Sequence, residues 1–299
     1  MNTLPSRWRP VATGCGFTEG PVWTGSDLVF VSVNRGVLYR TALDGAGSCV
    51  QVELGGGPNG AAVDGDGRIW IAQNGGRVLE TKSFEAPAGV QVVSAHSVTS
   101  LDVSQPRGTS FSAPNDCAFG PDGRLYITDP RGRLHSADGT GPAGRIWAVD
   151  VTDGATEMIA GELPHPNGLA FIADGSELWV SDTKTNEIVA YSRTNDGGWD
   201  SRVVDIVPWG APDGVAFDVS GNLWVAATSA DGIAVRTREG TWTLVELGHS
   251  FPTNVAFAGE QRDKVVATVA RGGRVLISAA EVPGIPLFAP PIALQAEES

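Results

Sequence analysis

The chain has little cysteine. Cys15, Cys49 and Cys117 are scattered over 299 positions with no metal-ligand spacing. This argues against a disulfide-stapled scaffold and for a reducing compartment, the cytoplasm. Cys117 reads as a buried small hydrophobe rather than a reactive thiol. Positive charge is also scarce. There are 21 Lys and Arg against 34 Asp and Glu, a formal net charge of −13. Nucleic acid and anionic membrane are therefore poor partners, whereas solubility and attraction of metal cations are favoured. No apolar run approaches the ~20 residues of a membrane-spanning helix. Met1-Asn2-Thr3-Leu4-Pro5-Ser6-Arg7-Trp8 holds no apolar segment of a signal peptide. Gly55-Gly56-Gly57 and Gly75-Gly76 lack the lysine and helix context of a phosphate loop and read as turns.

What is present is a repeated phrase. His165-Pro166-Asn167-Gly168-Leu169-Ala170-Phe171 has counterparts at Pro58-Asn59-Gly60, Pro114-Asn115-Asp116, Pro212-Asp213-Gly214 and Pro252-Thr253-Asn254, with a degenerate copy at Thr18-Glu19-Gly20. Anchored on Glu19, Asn59, Asn115, Asn167, Asp213 and Thr253, successive copies are 40, 56, 52, 46 and 40 residues apart. A period of this size marks a repeat architecture. In four copies the apolar run is followed by a turn signal and a second run. Asp122-Gly123 before Leu125-Tyr126-Ile127-Thr128 is one case, and Asp64-Gly65-Asp66-Gly67 before Ile69-Trp70-Ile71-Ala72 is another. Such pairs are β-hairpins. Third runs, at Glu187-Ile188-Val189-Ala190-Tyr191 and Arg274-Val275-Leu276-Ile277, extend them towards four strands.

The fold class is therefore all-β, a six-bladed β-propeller filling residues 1–299 as one domain. The last repeat shows only three strands, at 254–258, 264–270 and 274–279. Residues 7–13 have no hairpin partner, so the N-terminal segment, within 1–13, is expected to close the last blade. The tail, 282–299, is expected to wrap the surface or fray. Blade two is read as 59–83. The stretch 84–113 is read as an insertion, either a lid over the channel or a surface loop, and 130–145 as a second insertion. Ala62, Ala118, Ala170, Ala216 and Ala256 suit inner strands converging on an axis, and the larger residue after each can pack between blades.

The residues after the prolines are expected to ring one mouth of the channel. Glu19, Asn167 and Asp213, with Asn115 direct or through water, make an oxygen-only ligand set for a divalent cation. No His or Cys stands at a ring position. Calcium suits such a set best, with magnesium, manganese or zinc as alternatives. Asn and Asp before Gly are also ordinary turn residues, and that plainer reading is preferred for Asn59 and Thr253. His165 has no Ser or Cys partner for a triad, and it is a candidate to line the pocket. Asp129 and Asp182 are expected to hold neighbouring backbone.

These motifs together resemble the family of senescence marker protein, gluconolactonase and luciferin-regenerating enzyme over roughly residues 15–280. The resemblance is carried by Thr18-Glu19-Gly20-Pro21-Val22-Trp23, Pro114-Asn115-Asp116 with Gly123-Arg124-Leu125-Tyr126-Ile127-Thr128-Asp129-Pro130, Pro166-Asn167-Gly168-Leu169-Ala170-Phe171, and Pro212-Asp213-Gly214. It implies one divalent metal in the channel, held by Glu19, Asn167 and Asp213, with Asn115 completing the shell or meeting substrate. Asp116 is then a nearby functional acid, and the activity is hydrolysis of a small lactone or related ester. Either Asp213 or Asp116 could take the proton of the attacking water. The chain departs from sugar-lactone members at Ala113, where they carry arginine, and at Gln73-Asn74, where related enzymes often carry histidine. The missing arginine leads us to expect a substrate with few hydroxyls, unless Arg107 or Arg131 compensates. Phosphotriester hydrolysis, a condensation on the same scaffold, and a non-catalytic interaction propeller are the rival readings.

Overall fold

A computed structural model describes residues 8–45, 49–81, 83–94, 97–101, 110–131 and 143–292. The described residues hold no α-helix, only a 3-10 turn at Thr228–Ala230. None of their helices is long and apolar enough to cross a membrane. The strands form six antiparallel sheets of four. Blade one holds β2 (Thr18–Trp23), β3 (Leu28–Ser32), β4 (Val37–Thr41) and β5 (Val50–Glu53). Blade two holds β6 (Pro58–Val63), β7 (Ile69–Gln73), β8 (Gly89–Ser94) and β9 (Ser97–Leu101). Blade three holds β10 (Cys117–Phe119), β11 (Leu125–Asp129), β12 (Gly144–Val149) and β13 (Thr156–Leu163). Blade four holds β14 (Pro166–Phe171), β15 (Glu177–Asp182), β16 (Glu187–Arg193) and β17 (Trp199–Ile206). Blade five holds β18 (Pro212–Phe217), β19 (Leu223–Ala227), β20 (Gly232–Arg236) and β21 (Trp242–Glu246). Blade six holds β22 (Pro252–Ala258), β23 (Lys264–Val269), β24 (Arg274–Ala279) and, from the other end of the chain, β1 (Arg9–Ala12). β1 pairs antiparallel with β24, Arg9 opposite Ile277. The inner strands contact one another in chain order, and β22 meets β2, so the ring is closed.

Two local devices recur among the blades. The first is the hairpin turn, where an aspartate folds back on its own loop. Asp64 Oδ1 accepts the N–H of Asp66 and of Arg68, both at 3.0 Å, and its Oδ2 accepts Trp70 Nε1 at 2.9 Å. Asp218 repeats this with Ser220, Asn222 and Trp224. The second device joins blades. The phenylalanine ending an inner strand packs edge-on against an aromatic of the preceding blade's second strand: Phe119 on Trp70, Phe171 on Tyr126, Phe217 on Trp179 and Phe257 on Trp224. Each such pair adds ~0.5–1.5 kcal/mol beyond its buried area.

Blade two does not end at residue 83, as the turn pattern suggests. β8 and β9 are its own outer strands, so most of the supposed insertion is blade. Of the remainder, residues 102–109 lie outside the described residues, as do 132–142 of the second insertion. Residues 281–292 neither fray nor simply wrap the surface; they cross the channel's far mouth. Ile285 N donates to Phe217 O at 3.1 Å in blade five, Phe288 packs edge-on against Phe171 in blade four, and Gly65 N of blade two donates to Pro290 O at 2.8 Å. Residues 293–299 lie outside the described residues. Behind this strap runs an apolar channel lined by Val22, Ala62, Ala118, Ala170, Ala216 and Ala256.

Candidate active site at the channel mouth

The residue before the Pro position of each repeat (Thr18 holds that position in blade one) is pinned by a side chain that accepts its backbone N–H. Asn34 Oδ1 holds Phe17 at 2.8 Å, Gln73 Oε1 holds Gly57 at 2.6 Å and Asp129 Oδ1 holds Ala113 at 2.7 Å. Asp182 Oδ2 holds His165 at 2.8 Å, Asn186 Oδ1 holds Ala211 at 2.7 Å and Asp231 Oδ1 holds Phe251 at 2.7 Å. Six acceptors thus fix a rim around one mouth. Asp129 and Asp182 act here as holders of backbone. A further set of hydroxyls ties blades three to six to one another at the same level. Thr128 Oγ1 donates to Asn167 O at 2.6 Å, Ser181 Oγ to Asp213 O at 2.7 Å, and Thr228 Oγ1 to Pro252 O at 2.9 Å.

One step inside the rim lie Glu19, Asn59, Asn115, Asn167, Asp213 and Thr253. All are buried except Asp213, which keeps a partly exposed edge. The Asn-Gly and Asp-Gly pairs here are not turns. Between Pro58 and Ala61, Pro166 and Leu169, and Pro212 and Val215 the inner strand advances three residues while its partner advances two. Each pair is therefore a β-bulge, a device that re-aims side chains next to sites. The turn reading of Asn59 fails for this reason, and that of Thr253 because it lies in a like irregularity of β22, between Pro252 and Asn254. Thr253 donates to Thr18 O at 2.7 Å and holds blade six to blade one. Asn59 is only 4 % exposed, and no hydrogen bond to its Oδ1 occurs among the described residues. An orphaned buried acceptor costs about 1–3 kcal/mol.

The floor of the mouth comes from the next position along. Four blades have glycine there, whereas blades three and six, which face each other across the ring, have Asp116 and Asn254. A Cβ on Gly60 would stand 2.4 Å from Asp116 Oδ1, and one on Gly214 would stand 2.0 Å from Asn254 Oδ1. These glycines make room for the two side chains to span the axis. Asn254 Nδ2 donates to Asp116 Oδ2 at 3.4 Å and to Glu19 Oε2 at 3.2 Å, and Asn254 Oδ1 accepts Val255 N at 2.8 Å. Asp116 Oδ1 accepts Cys117 N at 2.9 Å, and Glu19 Oε2 accepts Gly20 N at 3.0 Å. Asn167 Nδ2 donates to Thr183 Oγ1 at 2.9 Å.

Three carboxyls therefore share one dry mouth. Burial, reinforced by Asp116, pushes Glu19 up to about 8. Burial pushes Asp116 up to about 6, against the N–H of Cys117 and the Asn254 amide. Asp213 is driven well up by burial and then by Glu19 and Asp116, although one edge reaches solvent. Among the described residues no cationic side chain is one of the groups acting on any of the three. Such a cluster is unfavourable when ionised unless a cation or protons neutralise it. Among the described residues no three His, Cys, Asp or Glu side chains make a metal cage by themselves. Amide oxygens must complete any shell, and Asn167, Asn115 and the orphaned Asn59 Oδ1 are the amides at hand. This donor chemistry fits a hard divalent cation.

Asn254 is the residue that sequence reasoning missed. The signal was present: it occupies the same offset as Asp116, three blades away. Cys117 is buried against Trp70 O, and burial raises its thiol well above the usual range, so it is inert. Ala113 is fully buried. Arg77 Nη1 donates to Phe111 O and Ser112 O, and Arg145 Nη2 to Ser112 Oγ, so both arginines are tied to this segment. Arg107 lies outside the described residues; Arg131 has a buried Nη2 without a hydrogen-bond partner among them.

Fold and site define a class: a closed six-bladed propeller with a buried, oxygen-rich acidic cluster at one channel mouth. The chain belongs to the SMP-30/gluconolactonase/LRE-like family, whose region matches residues 17–271. It is 28% identical over 247 residues to a gluconolactonase of Zymomonas mobilis subsp. mobilis, covering 73% of this chain and 66% of that one. It is 27% identical over 281 residues to the pentonolactonase XacC of Haloferax volcanii, covering 88% and 85%. Among solved structures, regucalcin from Agrobacterium tumefaciens, a calcium-binding protein, superimposes with a TM-score of 0.77 at 18% identity, covering 97% and 98%.

Proposed function

We propose that the protein hydrolyses a lactone, or a closely related ester, with one divalent cation held at the channel mouth by Glu19, Asn167 and Asp213 and completed by Asn115. The observation that carries this reading is the group of three mutually destabilising carboxyls, Glu19 and Asp116 buried and Asp213 partly so, with no basic residue among the described groups acting on them. Relatives named as lactonases support the reaction class. A bound cation would supply polarisation of the lactone carbonyl and stabilisation of the charge developing on its oxygen.

The remaining work falls to the chain itself. Asp213, with its exposed edge, is placed to take the proton of the attacking water. Asp116 has one oxygen on Cys117 N and the other on Asn254 Nδ2, and it holds the floor rather than moving a proton. The strap across the far mouth and the Asp116–Asn254 floor leave the rim as the substrate's route. His165, buried in that rim with its N–H on Asp182, lines the route. Scarce cysteine without metal-ligand spacing is what supports the cytoplasm as the compartment.

The test is a panel of lactones and esters assayed with and without chelator, followed by re-addition of calcium, magnesium, manganese or zinc. We expect lactone hydrolysis that is lost on chelation and restored by one of these ions. Hydrolysis indifferent to chelator would remove the metal from the account, and no hydrolysis by metal-loaded protein would remove the lactonase.

A further inference from the structure

We propose that Phe17 and Phe251 form an apolar wall of the substrate pocket and select a lactone presenting an aliphatic or aromatic face over a polyhydroxylated sugar lactone. The proposal rests on the lactone-hydrolase reading and names its substrate class. The six pinned rim residues are Phe17, Gly57, Ala113, His165, Ala211 and Phe251. None is charged, and the imidazole of His165 is the one polar side chain among them. Strong selection for a polyol requires fixed donors and acceptors that would otherwise go unpaired. The side chains of these six supply almost none.

Phe251 supplies the positive argument. Its backbone lies in the left-handed region at φ 57°, where a bulky aromatic is strained. Its side chain is 39 % exposed, so core burial does not account for it. The conformation is nonetheless held from both sides. Asp231 Oδ1 accepts the N–H of Phe251 and, at 3.1 Å, of Ser250, while Ala270 N donates to Phe251 O at 3.0 Å. The ring meets Phe17 edge-on, with centroids 6.4 Å apart at 69°. Phe17 stands two residues before Glu19, and Phe251 three before Asn254, so the aromatic pair adjoins the acidic cluster where blades six and one meet. A strained, exposed and rigidly held aromatic beside a candidate reaction centre is placed for contact with a ligand.

The experiment compares kcat/KM for dihydrocoumarin, an aromatic lactone, with that for glucono-1,5-lactone, using metal-loaded protein. Wild type is expected to prefer dihydrocoumarin by about tenfold or more, the scale of one apolar contact. Phe251→Asn keeps a residue that tolerates the left-handed backbone and should lower the ratio of the two kcat/KM values by roughly tenfold, mainly through KM. Phe17→Ala should lower it in the same direction, and thermal melts of both variants show that they are folded. Preference for gluconolactone in wild type, or a ratio unchanged in both variants, overturns the wall while leaving the lactonase standing. Failure of every lactone overturns the lactonase and the wall with it.

Discussion

Replacing Gly60 with alanine probes the packing that places Asp116. Gly60 lies outside the left-handed region, so alanine meets no conformational barrier there. The added Cβ would nevertheless stand 2.4 Å from Asp116 Oδ1, 2.5 Å from Asp116 Cα and 2.8 Å from Cys117 N. Two of these are backbone atoms of the neighbouring blade and cannot rotate away. Overpacking of this kind costs ~1–3 kcal/mol or more, offset by ~0.4–1 kcal/mol from the stiffer unfolded chain. A net loss of about 2 kcal/mol lowers Tm by roughly 3–4 °C for a chain of 299 residues. Asp116 would move with the strand, and a shift near 1 Å can cost about a hundredfold in rate. Gly89→Ala is the control, since nothing stands within 4 Å of its Cβ; it should melt at or slightly above wild type. Differential scanning calorimetry and lactone kinetics on both variants decide the matter. A Gly60→Ala protein that melts and turns over like Gly89→Ala would refute the close approach.

Removing residues 1–13 takes away β1 together with buried Trp8, Val11 and Ala12 and opens the ring at β24. Each large apolar side chain is worth ~1.5–3 kcal/mol, so Trp8 and Val11 alone account for ~3–6 kcal/mol and the truncated chain should melt roughly 5–10 °C lower; an unchanged melt would show that the ring does not need this closure. In chelated protein the folded state raises the carboxyls of Glu19, Asp116 and Asp213, so it binds protons more readily than the unfolded chain. Their contribution to stability is full below about pH 4 and is lost as pH rises towards about 8. The melting temperature of chelated protein should therefore fall across that window more steeply than that of cation-saturated protein. Parallel pH profiles with and without cation would contradict the cluster's electrostatics.

The repeat was legible because three signals coincide in blades two to five: an inner strand, an Asp-Gly or Ser-Gly turn and an aromatic second strand. Trp70, Tyr126, Trp179 and Trp224 occupy one register there, and the six copies of the phrase before the inner strands give the blade count. The outer strands were less legible. β9 is exposed along almost its whole length and carries Ser and Thr on both faces, so no alternation betrays it. The same physics hid the true ends of blade two. Asn59 misled because Asn-Gly serves tight turns and β-bulges equally well, and only strand register separates them. Glu19, Asp213 and Asn167 stood out as oxygen donors at matching offsets. Asn254 did not, because it stands one position beyond the aligned ring residues and its contact with Asp116 joins blades distant in sequence across the axis.

The most direct measurement is the divalent-metal stoichiometry of purified protein, by elemental analysis and by calorimetric titration of chelated protein, for wild type, Glu19→Gln and Asp213→Asn. The account predicts one ion per chain in wild type. Either variant should lose that binding together with on the order of a hundredfold or more of lactone hydrolysis, as removal of a metal or base does. Wild type with no ion, or a variant that binds and hydrolyses as wild type does, would contradict it.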